Sequence, residues 1–238
     1  MLFTMRMHCI ETKCSECCKR YWITLLPAEA KAIAAKLGLG EAQFIKQKCA
    51  LVAHLYARKE KKDRLTVSSE ALPKKAALFF EKNFGALPSF FLVLPCIALK
   101  RNAKGECVFL KGWRCTIHGF LPAICRLFPF ISLSKQPLRE LYPFCAALQE
   151  KEFEQATGSL NEKQRKKVNA YFNAVEKKGF LSQWKALPGN ALFLFDGEKE
   201  FKVTKKEFLR FVRQMMWTME WVNSIFNRFC SYTWRIKR

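Results

Sequence analysis

The chain has 238 residues, half of them hydrophobic and 14% aromatic, a composition that can bury a core and excludes a disordered or low-complexity protein. Its 42 Lys and Arg against 20 Asp and Glu give a net charge of +22, which suits an anionic partner as well as it suits solubility. The 11 cysteines are too dilute in a chain of this length for a disulfide-stapled miniature scaffold.

From the N-terminus, Met1 to Cys9 holds no sustained apolar stretch before the cysteines begin, so the sequence predicts no secretory leader and reduced thiols in the cytoplasm. Tyr21-Trp22-Ile23 reads as a short extended piece. Pro27 sits where a helix can start; Ala30, Ile33, Ala34 and Leu37 share its inner face, and Gly38 closes it. A second helix is predicted from Glu41 to Tyr56, with Phe44, Ile45, Cys49 and Val52 turned inward, followed by the charged run Arg58 to Arg64 as a solvated turn. A third helical piece spans Pro73 to Phe84, and Phe90 to Leu94 reads as a buried strand. The longest uncharged run, Asn83 to Leu99, is broken by Pro88 and Pro95 and falls short of the ~20 apolar residues of a membrane-spanning helix.

Between Cys96 and Cys145, glycines and prolines recur (Gly105, Gly112, Gly119, Pro122, Pro129) and predict loops and short strands whose shape needs an external constraint such as bound metal. Ser159 with Glu162 makes a capping box for a helix reaching Lys178, where Gly179 stops it. Asp196-Gly197 between two apolar runs is a hairpin signal. Thr204 with Glu207 makes another capping box, opening a long C-terminal helix on Phe208, Phe211, Met215, Met219, Val222, Phe226 and Phe229. The expected architecture is α+β and mostly helical. A cysteine-rich metal-binding domain would cover residues 1–150 and a helix–hairpin–helix C-terminal extension 151–238.

The cysteines carry the chemistry. Cys9, Cys14, Cys17 and Cys18 place four thiols within ten positions, and the two-residue spacing of Cys14 and Cys17 presents two sulfurs to one ion. The adjacent pair Cys17-Cys18 diverges on a helix or a strand, so each is expected to serve a different metal or a different iron of a cluster. A second group follows in Cys107-Val108-Phe109-Leu110, Cys115-Thr116-Ile117 and Pro122-Ala123-Ile124-Cys125-Arg126-Leu127-Phe128-Pro129, with Cys145 beyond. These spacings are too long for a self-contained finger and predict one site assembled from two remote stretches.

On these residues the sequence resembles the YkgJ-type cysteine-cluster family of zinc- or iron-chelating proteins, over about residues 7 to 150. The resemblance implies metal ligation by Cys9, Cys14, Cys17, Cys18, Cys107, Cys115, Cys125 and Cys145. Two departures stand out: His118 where the family has Tyr, and Leu121 where it has Arg. A related cluster is similar to that of flagellin lysine methylases, which implies an iron–sulfur reading. All-thiolate ligation admits zinc, iron or an iron–sulfur cluster as cofactor.

Other residues are weaker candidates. His118 can replace a thiolate but more often serves as a polar neighbour, and His54 and His8 carry less signal. Cys49 and Cys230 read as core, and Cys96 lies near the cluster but outside its motif. Basic groups at Lys61-Lys62, Lys74-Lys75, Arg165-Lys166-Lys167, Lys205-Lys206 and Arg235 to Arg238, with Phe229, Tyr232 and Trp234, can grip phosphates and stack on bases. Three functions follow: a thiolate metal-binding protein, an iron–sulfur enzyme in protein methylation or redox chemistry, and a basic nucleic-acid-binding adaptor. A protein partner is left open. No glycine-rich phosphate loop, Ser-His-Asp set or zinc-protease motif is present, which removes the hydrolase and nucleotide-enzyme classes.

Overall fold

In the computed structural model, which describes residues 12–60, 66–129, 138–149, 190–195 and 199–215, the first helix is the short α1 (Glu16–Arg20), followed by β1 (Thr24–Leu25). Helix α2 (Pro27–Lys36) starts on Pro27, and the Glu29 carboxylate accepts the Leu26 N–H at 2.9 Å, satisfying one donor that the first turn leaves free. It stops at Gly38, whose φ of +67° only glycine adopts without strain, and the Leu39 N–H returns to the Ala34 carbonyl at 2.9 Å. Helix α3 (Glu41–Lys48) buries Phe44 and Ile45. The expected continuation to Tyr56 does not occur: the chain extends at Cys49 into strand β2 (Cys49–Arg58). Cys49, Leu51, Ala53 and Leu55 share one face of the strand and are all buried, and Val52 on the opposite face is buried as well.

The remaining elements are β3 (Thr66–Ser68), α4 (Lys74–Phe84), β4 (Phe90–Leu99), β5 (Leu110–Lys111), β6 (Arg114–Cys115), α5 (Ala123–Leu127), α6 (Leu138–Leu141), α7 (Ala146–Gln149), β7 (Asn190–Phe195), β8 (Lys199–Thr204) and α8 (Lys205–Met215). Strand β4 is longer than the Phe90–Leu94 run read from sequence. The described residues fall into two compact units: 12–25 with 99–149, and 26–98 with 190–215.

The second unit is built on a mixed sheet in the order β4-β2-β7-β8, with β3 on β4. β2 and β7 run parallel, Leu51 opposite Ala191 and Leu55 opposite Phe195, while β7 and β8 run antiparallel, Phe193 opposite Phe201. Phe91, Phe193 and Phe195 are completely buried on this sheet. Phe80 of α4 meets Phe91 and Phe195 at ring distances of 5.0 and 5.3 Å, and Phe208 and Phe211 of α8 meet Phe193 at 6.0 and 5.1 Å. Burying each such ring contributes about 1.5–3 kcal/mol, so α4 and α8 are held by aromatic packing on the sheet.

This architecture corrects the expectation of a mostly helical protein with an appended extension. The fold is α+β around a sizeable sheet, and β7 lies inside that sheet, beside β2, instead of standing apart. The hairpin itself is present, closing from Phe195 to Lys199, although Asp196-Gly197 lies outside the described residues. The Thr204–Glu207 capping box is also present, with Thr204 N–H donating to the Glu207 carboxylate at 2.9 Å and Glu207 N–H to Thr204 Oγ1 at 3.1 Å. The expected helix of residues 159–178 and the C-terminal helix beyond Met215 fall outside the described residues. Among those described, no helix is long and apolar enough to cross a membrane.

Candidate metal centre

The N-terminal knuckle is a tight turn around a buried serine. The Ser15 carbonyl accepts the N–H groups of Cys18 at 3.0 Å and Lys19 at 3.3 Å, and the Cys17 carbonyl accepts Tyr21 N–H at 3.0 Å. Glu16 pairs with Lys19 at 2.9 Å and Arg20 at 3.4 Å; these exposed pairs orient the turn and stabilise it little. Hydrogen bonding from Lys19 holds the Glu16 carboxyl below its ordinary range.

The second cysteine group is stitched to this knuckle by main chain. Cys107 N–H donates to the Cys18 carbonyl at 2.8 Å, and Leu99 N–H to the Ile23 carbonyl at 2.8 Å. The Arg101 guanidinium donates to the carbonyls of Lys19 and Gly105 and lies 5.7 Å from the Trp22 ring. Beyond Cys107, β5 and β6 pair with Leu110 opposite Cys115, and Thr116 N–H returns to the Phe109 carbonyl at 2.8 Å. Pro122 precedes the short α5 that carries Cys125. Cys145 follows α6 and donates its N–H to the Tyr142 carbonyl at 3.0 Å.

These segments enclose a cavity of about 80 Å³ whose lining includes Cys14, Cys17, Cys18, Cys107, Cys115, Cys125 and Cys145. None of the seven is in a disulfide. No carboxylate lines the cavity among the described residues, and His118 stands at its wall. Cys14, Cys17 and Cys18 thus line the same cavity as Cys107, Cys115, Cys125 and Cys145. Cys9 and Cys230 lie outside the described residues. Cys49 and Cys96 are buried in β2 and β4 and do not line the cavity. The thiols surround the space without meeting at one point: among the described residues no three of the Cys, His, Asp and Glu side chains converge closely enough to hold a metal ion.

An aromatic wall backs the cavity, and the motif reading did not foresee it. Tyr21 packs against Phe128, Tyr142 and Phe144 at ring distances of 6.0, 6.3 and 5.9 Å, and Phe128 meets Tyr142 at 4.8 Å. The clue was the string Tyr142-Pro143-Phe144 directly before Cys145. Rings at the wall lower the local dielectric, which strengthens charge interactions inside.

Burial consequently sets the ionisation of the sulfurs. It pushes the Cys107 thiol up to about 12 and the Cys115 thiol up to about 11, against backbone hydrogen bonds from Phe109 and Ile117 that favour the thiolate. Cys18 moves the other way, because a hydrogen bond with the Cys17 side chain favours its thiolate. Burial also raises the Tyr21 hydroxyl to about 12. A chamber of buried and half-buried thiols with no carboxylate among its described lining suits a soft, thiophilic cation, which stabilises the thiolates that burial opposes.

Residues 8–155 match the family model CxxCxxCC, described as a putative zinc- or iron-chelating domain. This bears out the cysteine-cluster resemblance over nearly the expected stretch. No curated protein and no solved structure matches the chain significantly.

Proposed function

The chain belongs to the CxxCxxCC family of zinc- or iron-chelating domains, and from that premise we propose that thiolates of its two cysteine groups hold a metal centre of more than one ion. The observation that carries this reading is one cavity lined by seven cysteines, none of them in a disulfide, from remote stretches of chain. One tetrahedral ion takes four donors, so seven exceed what a single site uses. Their spread around the chamber favours a pair of ions or an iron–sulfur cluster. Cys14, Cys17, Cys18, Cys107, Cys115, Cys125 and Cys145 would be the ligands, with Cys9 as an eighth.

The chain's own part is to bring these sulfurs together. The Cys107–Cys18 main-chain bond and the Arg101 contacts register the two groups, and aromatic rings back the cavity. Zinc would supply folding energy, on the order of 10 kcal/mol per structural site, whereas iron–sulfur would supply redox chemistry; methyl transfer to a protein belongs to the second case. A cytoplasmic, reducing location keeps the thiols available.

Elemental analysis and visible absorption of anaerobically purified protein test the reading. Cys17→Ser and Cys125→Ser should each lower metal content, and Cys230→Ser should leave it unchanged. Equal loading in all three variants, or a metal-free protein, overturns the ligand assignment. Brown protein with iron and sulfide selects the cluster; colourless protein with stoichiometric zinc selects the structural role.

A further inference from the structure

An exposed indole flanked by cations stands at the tip of the β5–β6 hairpin. The strands meet across the two-residue turn Gly112-Trp113, with Lys111 opposite Arg114. Gly112 has a φ of +62°, the left-handed conformation that such tight turns demand. Trp113 is 40% exposed, and only Leu78 is likewise an exposed large hydrophobic side chain among the described residues. The Lys13 ammonium lies 6.0 Å from its ring centroid, within reach of the ring's negative face. Lys13, Lys111 and Arg114 are all exposed, and no carboxylate pairs with any of them among the described residues.

The geometry points to single-stranded nucleic acid as the ligand of this hairpin: an unpaired base stacks on Trp113, and the flanking phosphates meet Lys13, Lys111 and Arg114. Three chemical features select this partner. A base presents a flat apolar face of indole size and carries its phosphates on either side, matching a ring set between cations. An acidic peptide offers carboxylates to the cations but leaves the indole in water. A lipid surface needs a larger apolar area than one side chain supplies. Duplex bases are already stacked, so the single strand is preferred. Trp113 and Arg114 also line the thiol cavity, so metal content is followed beside binding, but the inference holds whichever metal the thiols take.

The test is fluorescence anisotropy of a labelled oligothymidylate, and of its duplex with oligoadenylate, titrated with the full metal-containing chain. The single strand should bind more tightly than the duplex. Three phosphate contacts, each contributing about −0.7, should give a slope of about −2 in log affinity against log salt between about 50 and 200 mM. Trp113→Ala should weaken binding at least about fivefold, since one stacked base is worth about 1–3 kcal/mol, and Trp113→Phe should restore most of it. Lys111→Glu should weaken binding and flatten the slope.

Metal content measured on each variant separates damage to the thiol chamber from loss of the hairpin contact; if Trp113→Ala loses metal, Lys111→Glu carries the test. Three outcomes overturn the inference: no binding of the single strand at about 50 mM salt, binding indifferent to both substitutions, or displacement by polyglutamate as effective as by unlabelled oligonucleotide. Indifference to the substitutions would assign any affinity to the remaining basic surface of a chain with net charge +22.

Discussion

His54 shows how one side chain couples the sheet to pH. Its Nδ1 is buried without a hydrogen-bond partner, although the residue as a whole keeps some exposure. The ring stacks on Tyr56 at 6.1 Å and lies opposite Leu194 of β7. Burial lowers its pKa to about 4, against about 6.5 in an unfolded chain. Above pH ~6.5 the imidazole is neutral in both states and pH has no effect through it. As pH falls from ~6.5 to ~4 only the unfolded chain takes up the proton, so stability is lost across that window, by on the order of 3 kcal/mol. Urea midpoints at pH ~7 and ~4.5 should therefore diverge more in the parent than in His54→Leu; equal divergence would mean that other groups cause the acid loss. At the same scale, Thr204→Ala removes the Oγ1 that accepts the Glu207 N–H and should cost about 0.5–2 kcal/mol in chemical denaturation.

At the scale of elements, β7 is the strand that most of the second unit depends on. It pairs with β2 on one side and β8 on the other, and its Phe193 receives both α8 rings. Phe193→Ala should lower stability by about 3–5 kcal/mol in urea unfolding, because the void is bounded by rigid rings that cannot close it. A loss below about 1 kcal/mol would contradict this packing. The short elements were legible where local chemistry specifies them. Pro27 and Gly38 delimit α2, and Thr204 with Glu207 starts α8. Cys49 to Tyr56 was misread because its apolar residues fit both periods: Phe44, Ile45, Cys49 and Val52 follow helical spacing, while Cys49, Leu51, Ala53 and Leu55 alternate. Pairing with a strand about 140 residues away settles the choice, and no local signal reports it.

For the whole molecule, the thiol chamber lies within the first unit and the aromatic sheet within the second. Metal removal should therefore act unevenly. Chelation should expose amides of residues 99–129 to hydrogen exchange while those of β2 and β7 stay protected, since buried thiols without a cation lose the group that holds their loops together. Uniform loss of protection would mean that the chamber supports both units.

The sequence by itself determined the cysteine constellation, its family and the basic charge, because ligand type, spacing and net charge are written in residue identity. Only the tertiary structure decided that β2 is a strand, that β7 joins it in parallel, and that Phe128 and Phe144 line the thiol cavity with Tyr21 and Tyr142 packed against them. Those facts arise from contacts between residues distant in the chain, whose free energy no local pattern encodes.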